Sequence, residues 1–322
     1  MSLPIALLFV LAGIGLLAGG GEALVRGAVS LARRLRVSTV VIGLTIVAMG
    51  TSAPELAASL TAALHGRGDI AVGNVVGSNI LNIAMIVGMS AVLLPITVHL
   101  SAIRVEWPVM LALSVAVVAM AQNGIISRAE GIGLVLTLMG FIVYLIVSAE
   151  RPASARDRPS IEIEVDSLTV RAARYQGFID VGLILFGVAM LVGGAQALVR
   201  GAVVLAEFAG LSERVIGLTV VAFGTSLPEL ATSLVAARRG QAEIALANVI
   251  GSNIFNLTAI LGTVAIVTPQ SVPRETITLD FWWMLAYAVV LLPMMRVGMR
   301  ITRVEGAALL ASYGVYLFFL LR

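Results

Sequence analysis

Val41 to Gly66 reads VIGLTIVAMGTSAPELAASLTAALHG, and Val215 to Gly240 reads VIGLTVVAFGTSLPELATSLVAARRG. The copies lie 174 residues apart without a gap, and 19 of their 26 positions are identical. Each is long enough to cross a bilayer, and each carries one carboxylate near its middle, Glu55 and Glu229. A carboxylate at bilayer depth is costly and needs a partner. Two of them, each preceded by Gly-Thr-Ser-x-Pro, point to a binding site for a cation.

The surrounding composition supports a membrane setting. The chain has 322 residues, of which 59% are hydrophobic and 12% charged, and a mean hydropathy of +1.04. A soluble domain carries roughly 25% charged residues. A spanning helix needs about 20 apolar residues. Ten such runs are predicted: 3–30, 38–64, 70–95, 104–121 and 127–148, then 177–206, 212–237, 243–268, 278–295 and 304–321. The opening run has no basic leader segment and is too long for a signal peptide, so it is taken as the first span. There is no cysteine, hence no disulfide or thiol chemistry. The small basic excess is all arginine and lies in loops, which argues for topology rather than a nucleic-acid surface.

One long polar stretch, 150–176, divides the runs into two sets of five. The expected organisation is therefore a first five-helix repeat at 1–149, a linker at 150–176 and a second repeat at 177–322. The repeat also covers Gly20–Val29 against Gly194–Val203, and Asp69–Gly88 against Glu243–Gly262 at 11 of 20 positions. The fourth and fifth spans share little residual similarity. Five is odd, so the second set enters the membrane upside down. The expected fold is all-α and integral to the membrane, with ten transmembrane helices in two inverted repeats and broken helices at the centre. That architecture is characteristic of secondary transporters with midplane sites. With both termini outside, the inside loops hold 14 arginines and the outside loops 5. The positive-inside bias therefore places the linker in the cytoplasm.

The site reading starts from Gly50-Thr51-Ser52-Ala53-Pro54-Glu55. Proline lacks an N–H and clashes with the carbonyl four residues back, so Pro54 and Pro228 loosen the turns at Gly50 and Gly224. Freed carbonyls at membrane depth are tolerated where they line a cavity. Thr51 and Glu55 are spaced i, i+4 on one helix face, as are Thr225 and Glu229. Ser52 and Ser226 add hydroxyls. The third span contributes a stripe of Asn74, Ser78 and Asn82, repeated as Asn248, Ser252 and Asn256. Asn79 and Asn253 lie off that stripe, in reach of backbone near the break. Gly73, Gly77 and Gly251 allow close helix approach. His65 and His99 sit at span ends and are read as interfacial, and Glu22 with Arg26 as a structural ion pair.

All the candidate ligands are hard oxygens, which disfavours zinc, copper and iron and suits Ca²⁺. Two carboxylates balance one divalent ion or two monovalent ones. Competition between Ca²⁺ and Na⁺ for the same pair is a physical basis for exchange. The same glutamates could instead carry protons in a Ca²⁺/H⁺ antiporter. A passive channel is the third reading, disfavoured by inverted repeats with midplane acids. No enzyme chemistry and no resident cofactor is expected.

GTSAPEL with GNVVGSNILN, and GTSLPEL with ANVIGSNIFN, resemble the two α-repeats of the sodium/calcium exchanger family, within the cation/calcium antiporter superfamily. The resemblance covers both halves. It implies Na⁺/Ca²⁺ antiport across the plasma membrane by alternating access, with Ca²⁺, Na⁺ and the lipid bilayer as partners; the sequence does not give the oligomeric state, and a monomer is the working expectation. It implies that Glu55, Glu229, Thr51 and Thr225 coordinate Ca²⁺. It further implies that Ser52, Ser226, Ser78, Ser252 and the carbonyls of Ala48 and Ala222 form flanking Na⁺ sites, with Asn82 and Asn256 central. The first and sixth spans would slide as a gate, eased by Gly19, Gly20, Gly21, Gly193 and Gly194. Some members carry Asp where this chain has Asn256, so potassium co-transport is not implied. A linker of about 27 residues leaves no room for the large regulatory domain of animal exchangers.

Overall fold

The computed structural model of the protein describes residues 1–35, 37–149, 169–210 and 222–320. It is built almost wholly of helices. α1 is Leu3–Leu35; α2 (Thr39–Thr51) and α3 (Ala53–Leu64) form one span bent by 45°; α4 is Gly68–Leu93, α5 Ala102–Asn123 and α6 Arg128–Ala149. The second half repeats the order. α7 is Thr169–Phe208, α8 Ala222–Thr225, α9 Leu227–Arg238, α10 Ala242–Val267, α11 Thr276–Arg296 and α12 Arg303–Leu320. Eight of these helices are long and apolar enough to cross a membrane, and the bent pair α2–α3 makes a ninth. Residues 212–221 of the expected seventh span, and 150–168 of the expected linker, lie outside the described residues. Residues 169–176, expected in the linker, are helical.

Burial sorts the helices into a core and a shell. The apolar windows of α4 and α10 are 78% and 83% buried, whereas the other long helices are between 17% and 33% buried. An apolar helix left exposed is at home only in lipid. Leu8, Leu11, Leu136, Leu185 and Phe186 are outward-facing residues of this kind.

Short two-stranded ties close the loops. Ile96–Thr97 pairs with Arg300–Ile301, and Ile125–Ile126 with Gln270–Ser271, both antiparallel. Alternation of the spans puts the first tie on the face where α6 ends and α7 begins, here the linker face. The second tie lies on the opposite face. Each tie joins one half to the other.

The inverted repeat also shows where the sequence had lost it. Ser127 with Glu130 caps α6, and Thr302 with Glu305 caps α12: in each pair the carboxylate accepts from the backbone N–H and the hydroxyl of the residue three before it, at 2.7 Å. This is a capping box. Gly131 of α6 then packs on the Gly262 backbone, and Gly306 of α12 on that of Gly88; an added Cβ would lie 2.7 Å from the facing carbonyl in both places. The outer helices keep the symmetry through two glycines and a cap, which is too few positions for similarity to survive in their lipid-facing residues.

α1 and α7 run antiparallel, with glycine at every seventh position. These are Gly13, Gly20 and Gly27 on α1 and Gly187, Gly194 and Gly201 on α7. A Cβ on Gly20 would sit 2.8 Å from the Gly187 carbonyl, and one on Gly201 would sit 2.5 Å from that of Ala6. Small residues let helix backbones approach this closely. The glycines expected to ease sliding divide. Gly20 and Gly194 lie in this seam. Gly21 faces α9 at Val235 and Ala231, and Gly193 has no described neighbour within 4 Å.

Candidate cation site

The bend between α2 and α3 is built by Ser52-Ala53-Pro54. Ser52 leaves helical geometry (φ −81°, ψ 5°), and proline stands in the first turn of α3, where its missing N–H breaks no bond. Ser226 does the same before α9 (φ −90°, ψ 8°). The breaks deliver Glu55 and Glu229 into the first turn of their helices, where the dipole favours a negative charge. Both glutamates are buried to 1% exposure.

The halves then cross. Ser52 Oγ donates to Glu229 Oε1 at 3.1 Å, and Ser226 Oγ donates to Glu55 Oε1 at 3.1 Å. Each carboxylate is held by the serine that breaks the other repeat's helix. Ser226 also lies 3.5 Å from Ser78 Oγ. Behind this pair, Thr51 Oγ1 donates to Asn248 Oδ1 and to the Ala48 carbonyl, both at 3.3 Å. Asn248 Nδ2 donates to Ser233 (3.2 Å), and its counterpart Asn74 donates to Ser59 (2.9 Å) and to the Glu55 carbonyl (3.3 Å).

The expected single stripe on the third span is thus divided. Asn74 and Asn248 support the bent helices from behind, and Ser78 and Asn82 face inward. Asn79 and Asn253 also differ from expectation. Asn253 does reach backbone, the Asn79 carbonyl at 3.4 Å. Their main bonds, however, join the two halves: Asn82 Nδ2 to Asn253 Oδ1 at 3.0 Å, and Asn256 Nδ2 to Asn79 Oδ1 at 3.3 Å. Met110 and Met284, again 174 apart, accept from the amides of Asn253 and Asn79 at 3.6 and 3.8 Å. Sequence reading passed over this methionine pair, because the fourth spans match at too few positions to draw attention to it.

The amide nitrogens of Asn82 and Asn256 are committed outward, which turns their oxygens inward. Glu55 Oε2, Glu229 Oε2, Asn82 Oδ1 and Asn256 Oδ1 are all buried with no hydrogen-bond partner among the described residues, as is Ser252 Oγ. Leaving buried acceptors unmatched costs about 1–3 kcal/mol each, more for charged ones. A symmetric set of unmatched oxygens, two carrying charge, is the arrangement that a cation would repay. Wide π-helical turns begin at both central asparagines, Asn82–Val87 and Asn256–Ile260, a feature frequent at functional sites. Ala48, expected to offer its carbonyl, already accepts from Ser52 N–H at 3.0 Å and from Thr51; a cation there would share with one of these donors. Thr225 is half-buried and has an interaction of its own. Ala222 is described only as the first residue of α8.

Away from the cage, His65 and His99 are exposed at helix ends as expected. Glu22 pairs with Arg26 at 3.0 Å and also with Arg239, so the local ion pair extends from α1 to the end of α9.

The chain is similar to known proteins over nearly its full length. The profile of the family described as sodium/calcium exchanger protein matches residues 5–147 and 179–322. The chain belongs to the sodium/calcium exchanger protein family. CaxA of Alkalimonas amylolytica is 40% identical over 98% of each chain. The sodium/calcium exchanger MaX1 of Methanosarcina acetivorans is 34% identical over 96% of this chain and 97% of its own. A solved structure of the sodium-calcium exchanger NCX_Mj superposes with a TM-score of 0.83 at 29% identity, covering 98% of this chain and 99% of that one. As a member of this family the protein is a multi-pass membrane antiporter of cations and not an enzyme.

Proposed function

We propose that this exchanger-family protein moves Ca²⁺ against Na⁺ by alternating access, at the cage between the two bent spans. The crossed Ser–Glu bonds carry the reading. They bring two carboxylates into one buried set of oxygens and leave a free oxygen on each. Two charges balance one Ca²⁺ or two Na⁺, so the ions exclude one another electrostatically. An empty cage would hold two uncompensated buried charges, which is prohibitive. The protein therefore returns only when loaded, which makes it an exchanger rather than a leak. Glu55 and Glu229, with Thr51 and Thr225, are the proposed Ca²⁺ ligands. Ser52, Ser226, Ser78, Ser252 and the carbonyls of Ala48 and Ala222 are the proposed Na⁺ ligands, and Asn82 and Asn256 stand between the sets. The working unit is one chain with repeats at 1–149 and 177–322, in the plasma membrane, termini outside and linker inside.

Protons are the alternative coupling ion, because a carboxylic acid also relieves the charge of an empty cage. ⁴⁵Ca²⁺ uptake into proteoliposomes separates the two. An outward Na⁺ gradient at equal pH should drive uptake. Uptake driven by a pH gradient alone, and indifferent to Na⁺, would replace Na⁺ by H⁺ in the reading. Uptake without either gradient would make the protein a channel.

A further inference from the structure

The repeat supplies an internal control for a buried acid outside the cage. Glu106 stands near the start of α5, and Asp280, 174 residues later, near the start of α11. Asp280 Oδ1 accepts from the Tyr316 hydroxyl of α12 at 3.2 Å, and Thr276 supplies a second hydroxyl. By the register of the caps and of Gly131 with Gly306, the first-half counterpart of Tyr316 is Phe141; at the 174-residue offset that relates Glu106 to Asp280, the counterpart of Thr276 is Ala102. Neither has a donor to offer. Ser101 supplies a hydroxyl beside the Glu106 carboxyl. Glu106 is 4% exposed, and its Oε2 has no partner among the described residues.

Glu106 lines a crevice between α2, α5 and α10, with His99 and Glu243 lining it as well. These two lie 4.0 Å apart and are both solvent-accessible, at 54% and 23% of their side chains. The free volume is about 10 Å³, close to the space of one water. Apart from Thr97, the rest of the lining, Val40, Leu44, Leu246 and Ile250 among it, is apolar. Such walls cannot replace the hydration shell of a metal ion, and no trio of His, Asp or Glu able to hold one is found among the described residues. A proton needs only the one free oxygen. Other charges nearby point away: Arg104 on α5, Arg300 opposite Thr97 and Arg296 ending α11 are all exposed. On α11, Tyr287 is bonded to Ser312, and α2 carries no ionisable residue.

One turn beyond Glu106 is Met110, which accepts from Asn253, which in turn accepts from Asn82. The foot of α5 is thus two contacts from an unmatched oxygen of the cage.

We propose that Glu106 is a proton-binding site separate from the cage, loaded from the linker face through the His99–Glu243 crevice, and that its occupancy regulates turnover through Met110 and Asn253. The neutral acid suits the dry crevice and goes with the packed state described here. The ionised form draws water to the foot of α5 and loosens it. Acid on the linker side therefore slows turnover. The inference rests on the contact between α5 and the cage, not on the coupling ion.

Two measurements on the full chain test it. In proteoliposomes with pH set separately on each side, wild type should slow on linker-side acidification. Glu106→Gln should lose that step, and Glu106→Asp should keep it at a shifted pH. In pH-difference infrared spectra, one protonated-carboxyl band present in wild type and in Glu55→Gln/Glu229→Gln should be missing from Glu106→Gln. An unchanged band, or an unchanged linker-side profile, in Glu106→Gln overturns the proposal. The band does not depend on transport, so a wild type that shows it but moves no Ca²⁺ counts against the Na⁺/Ca²⁺ reading alone.

Discussion

Glu55 and Glu229 each keep one oxygen on the other half's serine and one unmatched, so their replacements should be equivalent in kind. Glu55→Gln or Glu229→Gln removes a charge that the remaining set cannot supply. Ca²⁺ uptake should fall at least about tenfold in apparent affinity for either, a loss of about 1.4 kcal/mol or more, measured by ⁴⁵Ca²⁺ uptake against Ca²⁺ concentration. Ser52→Ala is the finer test. It removes the 3.1 Å bond to Glu229 while leaving every charge in place. A hydrogen bond to a charged group contributes about 1.5–3 kcal/mol, so affinity should drop roughly 10- to 100-fold, and Ser226→Ala should match it. If Ser52→Ala leaves affinity unaltered, the crossed arrangement is not what holds the carboxylates. The candidate ligand residues were legible in the chain because they recur at one offset. The partner of each was not, since Ser52 and Glu229 are 177 residues apart and nothing local relates them.

At the scale of elements, the α1–α7 seam makes a prediction with a built-in control. Gly194→Val puts a branched side chain where a Cβ would already lie 2.9 Å from the α1 backbone at Leu17. Overpacking of this kind costs about 1–3 kcal/mol, so the melting temperature in detergent should fall and transport with it. Gly193→Val, one residue away, meets no neighbour within 4 Å among the described residues and should be close to neutral. Equal losses in both would mean that helix propensity, not the seam, governs. Arg34 and Asp180 lock the linker end of the same pair at 3.1 Å, with Asp180 buried. Asp180→Asn should destabilise the chain, because it replaces a charge-assisted hydrogen bond at a buried position with a weaker neutral one; thermal melting measures it. The glycine run at Gly19–Gly21 stands out in the sequence, yet the seam runs along the seven-residue spacing. Which face of α1 meets α7 depends on how two long helices cross, and no local pattern encodes that.

For the whole molecule, the absence of native cysteine allows a direct test of orientation. Ser101→Cys on the linker face and Ser271→Cys on the opposite face are both at exposed positions. In intact cells a membrane-impermeant maleimide should label Ser271→Cys and spare Ser101→Cys; the reverse pattern inverts the topology. By itself the chain determined that this is a helical membrane protein with an inverted duplication and two central acids, because hydropathy, span parity and an ungapped offset are properties of order along the chain. Only the tertiary structure decided that each acid is held by the opposite repeat, that the central asparagines turn their oxygens inward, and that Glu106 lacks the partners Asp280 has. Those facts depend on which surfaces meet when two halves pack upside down against each other. Distance in space between residues some 170 positions apart is set by that packing, not by any pattern within either half.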